Sequence, residues 1–72
     1  MTPTEFGVII RKNRLEQGLR QAQLAAAAGV GLRFLIELER GKPTAQLGKA
    51  LAIASALGCR IEITPPRARR SS

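Results

Sequence analysis

Four consecutive alanines, Ala25 to Ala28, run straight into Gly29-Val30-Gly31, and a second helix-favouring stretch, "LRFLIELER", follows at once. Alanine has the highest helix propensity and glycine nearly the lowest, so the helix from Gln21 ends at Ala28 and another begins at about residue 31. The first helix has barely two turns and would not persist alone. Packing has to hold it, through Leu24 and the small faces of Ala25 and Ala28. A steep crossing of two such helices needs a small residue at the contact, which Ala25 supplies, and a positive backbone angle in the turn, which Gly29 supplies. Val30, Leu35 and Leu38 then pin the pair, and Gly31 opens the second helix with no side chain in the way. The break redirects the chain and turns the start of the 31–40 helix outward.

The flanking segments read as further helices. Thr2-Pro3-Thr4-Glu5 carries a cap hydroxyl, a proline in the first helical place and a glutamate three residues beyond the cap; this is a capping box. From it a helix is expected over about 3–17, with Phe6, Ile9, Ile10 and Asn13 facing inward and Gly18 ending it. After Gly41, Pro43 stiffens the connection and Thr44 is a candidate cap. Leu47, Ala50, Leu51, Ala54 and Leu57 then recur at helical spacing over about 45–57. Beyond Gly58 the period changes to two in "CRIEIT", with Cys59, Ile61 and Ile63 on one side and Arg60 and Glu62 on the other, the pattern of one short strand. A lone strand has unpaired edges, so its mate should come from another molecule. The expected fold is all-α, four helices plus that strand, with residues 1–64 as the domain and 65–72, holding Arg67, Arg69 and Arg70, as a basic tail.

A chain of 72 residues is one small domain with a marginal core. Cys59 is the sole cysteine and histidine is absent, so neither an internal disulfide nor a zinc site can add support, and a partner subunit is the remaining source of buried surface. Without His or Asp, and with that cysteine in an apolar strand, no acid–base pair or activated nucleophile can be assembled, and no cofactor site is indicated. Twelve Lys and Arg against five Glu give a net charge of +7, a field that attracts polyanions such as duplex nucleic acid or an anionic membrane. Basic residues spread over several elements argue against a membrane-surface helix. Only Phe6 and Phe34 are aromatic, a poor supply for stacking on single strands. The first residues lack the pattern of a signal peptide, and no apolar run approaches the roughly 18 residues of a membrane span. A protein of a reducing compartment, hence cytoplasmic, is expected.

"QAQLAAAAGVGLRFLIELERG", together with "IRKNRLEQGLRQ" before it and "GKPTAQLGKALAIASALG" after it, resembles the helix-turn-helix of the Cro and phage-repressor (XRE) family. The resemblance implies a lambda-repressor-like fold and binding to double-stranded DNA. It implies that Gln21, at the start of the second helix, holds a phosphate with Arg20 adding charge, and that Arg40 and Lys42 reach the backbone. The base-reading places correspond to Gly31, Leu32, Arg33 and Glu37. Arg33 can bind guanine O6 and N7 together, while Leu32 offers only apolar surface to a thymine methyl. Glu37 has two readings, accepting from a cytosine amino group or ordering Arg33 from one turn away. Phe34 either presses on a methyl or packs between helices, and packing is favoured. Ile36, apolar where the family often has a polar residue, is a candidate protein contact. Arg14 and Glu39 occupy places that in the family form a structural ion pair.

The segment "GKPTAQLGKALAIASALGCRIEIT" is similar to antitoxins of the HipB type. That likeness implies a homodimer paired through Cys59, Arg60, Ile61, Glu62 and Ile63, a near-palindromic operator, autoregulation and a HipA-type kinase toxin as partner. Two rival readings stay open: a general XRE-type repressor without a toxin, and an interaction module that keeps the fold but has lost operator binding.

Overall fold

The computed structural model describes residues 1–43 and 46–67, and in order along the chain these form α1 (Pro3–Glu16), α2 (Gln21–Ala28), α3 (Leu32–Glu39) and α4 (Leu47–Ala56). The capping box at the start of α1 is formed in both directions. The Glu5 amide donates to Thr2 Oγ1 at 3.0 Å and the Thr2 amide donates to Glu5 Oε1 at 2.8 Å. Each helix is followed by a glycine with positive φ: Gly18, Gly29, Gly41 and Gly58. The backbone beyond folds back in the same way all four times, with the amides of Leu19, Val30, Lys42 and Cys59 reaching the carbonyls of Arg14, Ala25, Glu37 and Ala54.

Each helix gives the core one fully buried branched side chain: Ile10, Leu24, Leu35 and Ile53. Ala25, Ala50 and Ala54 fill the places where the helices come close, and Leu38 and Leu57 complete the cluster. Gln17 adds a polar tie, its Nε2 donating to the Leu57 carbonyl at 2.8 Å, so the end of α1 caps the end of α4.

Three expectations are corrected. Ile9 is 40% exposed and does not face the core. The buried stripe of α1 is Gly7, Ile10 and Arg14, because Gly7 sits directly beneath the end of α3, where a Cβ would run into the carbonyl oxygens of Leu38 and Glu39. That contact turns α1 so that Ile9 faces away from the core. On α4, Leu47 is 71% and Leu51 43% exposed, and the fully buried residue is Ile53; α4 packs through Ala50, Ile53, Ala54 and Leu57, leaving the Leu47 and Leu51 stripe open. Its first residue is Leu47, with Gln46 as cap residue, two places later than expected, while Thr44 lies outside the described residues.

The third correction concerns residues 59–64. Among the described residues there is no β-strand. A ladder needs a second strand to bond with, and the segment has none beside it in the single chain. Cys59 packs against the core, whereas Ile61 and Ile63 are exposed. Arg60 and Glu62 lie 3.5 Å apart. Phe6, Leu38, Leu47, Leu51, Ile61 and Ile63 are among the residues lining an open apolar groove of about 570 Å³. No helix among the described residues is long and apolar enough to cross a membrane. Arg67 is exposed; Arg69 and Arg70 lie outside the described residues.

Candidate nucleic-acid interface

The corner between α2 and α3 is built from few parts. Gly29 has φ +71°, in the left-handed region where a side chain is strained. Val30 returns to the core and donates its amide to the Ala25 carbonyl at 3.0 Å. Gly31 is the cap residue of α3 with φ −70°, and a Cβ there would meet nothing within 4 Å. A side chain at this place would therefore not obstruct the turn, which departs from the role expected for Gly31. Its carbonyl accepts the first bond of α3, from Leu35.

Helix α3 buries Leu35, Leu38 and Glu39 and turns Leu32, Arg33, Ile36, Glu37 and Arg40 outward along one shallow concave strip. The Arg33 side chain is 90% exposed. Its Nε lies 3.5 Å from Glu37 Oε2, while Lys42 Nζ lies closer, 3.1 Å from Glu37 Oε1. Glu37 thus shares its carboxylate between the start of α3 and the loop after it. The hydrogen bond from Lys42 holds the Glu37 carboxyl below its ordinary range, aided by the Lys42 and Arg33 charges and opposed by partial desolvation. Phe34 is half-buried against the core, on the flank of the strip.

Behind the strip lies a buried ionic cluster. Arg14 Nε donates to Glu39 Oε2 at 2.7 Å and its Nη2 donates to Glu39 Oε1 at 3.0 Å, a two-pronged pair joining α1 to α3. The Arg14 Nη1 donates to the Leu19 carbonyl at 2.9 Å, which fastens the α1–α2 connection to the same guanidinium. Gln21 joins from the start of α2, its Nε2 donating to Glu39 Oε1 at 3.0 Å. One carboxylate therefore ties three helices together. It also fixes the Gln21 amide, one of whose two N–H groups is left to point elsewhere. Arg20, the cap residue of α2, is exposed, and its backbone amide donates to Gln23 Oε1 at 2.8 Å.

The fold brings Gln21 to Glu39 and Arg33 and Lys42 to Glu37, with Arg40 exposed beside them. Ile61 and Ile63 line the apolar groove, and none of residues 59–63 lines this strip. Two features escaped sequence reasoning. Gly7 has no local signature, since only the close approach of α3 gives it meaning. Lys49, exposed on the first turn of α4, sets its Nζ 5.5 Å from the centre of the Phe34 ring, a contact between residues with no periodic relation in the chain.

The arrangement of a short supporting helix, a tight glycine corner and a helix with an exposed basic strip is that of a duplex-reading unit. The sequence profile described as helix-turn-helix matches residues 10–63. An uncharacterized HTH-type transcriptional regulator, y4mF, of Sinorhizobium fredii is 55% identical over 69 residues, covering 96% of this chain and 91% of that protein. An uncharacterized HTH-type transcriptional regulator of Methanothermobacter thermautotrophicus is 44% identical over 50 residues, covering 69% of this chain and 72% of that one. The chain belongs to the helix-turn-helix family of the XRE type, a family of DNA-binding regulators and not of enzymes.

Proposed function

We propose that this chain is a sequence-specific repressor that binds a near-palindromic operator as a twofold homodimer, working in the cytoplasm on nucleoid DNA. The observation that carries the reading is the 90% exposed Arg33 side chain on the outward strip of α3, held on a scaffold of one buried side chain from each helix. Arg33 reads guanine through O6 and N7, and Leu32 contacts a thymine methyl. Gln21, with its amide already fixed by Glu39, and Arg20 hold a phosphate at the start of α2. Arg40 and Lys42 add backbone contacts, and Gly31 brings the backbone of α3 close to the bases. The Arg14–Glu39 pair is structural.

The dimer reading rests on residues 59–63 and the groove. If two copies pair antiparallel about Ile61, Arg60 of one stands opposite Glu62 of the other, and Cys59 stands opposite Ile63 of the second copy. Opposite charges then meet on one face and apolar residues on the other, the latter over the groove lined by Leu47 and Leu51. Both α3 helices would meet half-sites about one helical turn apart. The likeness of residues 41–64 to HipB-type antitoxins supports a second role, neutralising a HipA-type kinase toxin.

Selection from a random duplex pool with the purified chain tests the reading. The expected product is an inverted repeat bound at least about 10³-fold more tightly than random DNA at physiological salt. An unenriched pool would leave an interaction module that has lost operator binding. Co-expression with a HipA-type kinase separates antitoxin from general repressor: a stable joint complex is expected for the first and two separate species for the second.

A further inference from the structure

Lys49 takes part in none of the ion pairs among the described residues. Its ammonium instead lies over the Phe34 ring, 5.5 Å from the centroid, within the range where the ring's negative face attracts a cation. Phe34 is itself fixed, because it packs against the core. An exposed lysine that would otherwise sweep a wide volume is thus held beside the first turn of α3.

Its position relative to the reading strip gives this contact meaning. At about 100° per residue, Glu39 and Phe34 stand about 140° apart around α3 on the core side. They bound the outward strip of Leu32, Arg33, Ile36, Glu37 and Arg40 on its two flanks. Glu39 carries Gln21 on one flank, and Phe34 carries Lys49 on the other. A helix lying in a major groove has a phosphate strand along each wall. We infer that Lys49 is a DNA-backbone contact on the wall opposite the one held by the start of α2, and that Phe34 is its positioning residue. This rests on the duplex-binding reading above.

The test is the salt dependence of binding of the full chain to the selected duplex and to a random duplex of equal length. For Lys49→Met the slope of log K against log salt becomes shallower by about 0.9, equivalent to about 3.5-fold less loss of affinity between 50 and 200 mM. Both duplexes weaken by the same factor, because a phosphate contact carries no sequence information. Lys49→Arg keeps the slope. Phe34→Leu keeps the charge and most of the slope but weakens binding, and adding it to Lys49→Met weakens binding less than it does alone. A Lys49→Met slope equal to wild type, in protein with unchanged melting, overturns the inference. A wild-type chain that fails to bind either duplex overturns the DNA reading itself.

Discussion

Glu39 joins three helices, because its two oxygens accept three hydrogen bonds from two helices other than its own. Replacing it with alanine leaves the Arg14 guanidinium buried without its counter-charge, which costs about 3–5 kcal/mol. In a small domain of modest total stability that loss populates the unfolded state, and urea unfolding by circular dichroism should show it. Paired replacement of Arg14 and Glu39 by apolar residues costs less, since no charge is then stranded. Two glycines give the contrasting steric case. Gly7→Ala forces a methyl against the Leu38 and Glu39 carbonyls and should cost about 1–3 kcal/mol in the same measurement. Gly31→Ala meets open space and should leave stability near wild type. Glu37 supplies a pH signature. Its folded carboxyl lies below the ordinary value, so its ion pairs contribute above the unfolded pKa and are lost as pH falls through the folded one. Glu37→Gln should remove that acid step and, by freeing Arg33 and Lys42, raise affinity for random duplex at neutral pH.

At the scale of elements, what was legible in the sequence was what local chemistry decides. The Thr2 capping box, the halt of α2 at Gly29 and the inward turn of Leu35 and Leu38 all follow from propensity and spacing, and each is present in the fold. The outward faces were harder to read. Ile9 and Ile10 are equally apolar, and the choice between them is made by Gly7, a residue with no side chain to signal its burial. Leu47 and Leu51 match a helical stripe as well as Ala50 and Ala54 do. Burial of the alanine stripe follows from α2, whose own small residues permit only a close approach. The alternation in residues 59–64 has the period of a strand, yet among the described residues of the single chain no second strand lies beside it and no ladder forms there. Of the residues proposed to face DNA, Arg33 could be named through the family resemblance, whereas the link from Gln21 to Glu39 and that from Lys49 to Phe34 depend on how separate helices meet.

For the whole molecule, the proposed dimer would join the apolar groove to the reading of two half-sites. The proposed antiparallel register about Ile61 makes a charge-swap test available. Arg60→Glu alone would put two carboxylates opposite each other in both symmetric positions, and sedimentation should show a shift toward monomer. Arg60→Glu combined with Glu62→Arg restores opposite charges and should recover the dimer. A double variant as weak as the single one would point to a different register. The most direct measurement of the central claim is the affinity of Arg33→Ala for the selected duplex, for variants of that duplex changed at single base pairs, and for random DNA. Loss of a two-pronged guanine contact should weaken the selected duplex by about 5- to 150-fold and abolish discrimination at one base pair per half-site. Equal weakening on selected and random duplex, with discrimination intact at every position, would contradict α3 as the helix that reads the bases through Arg33.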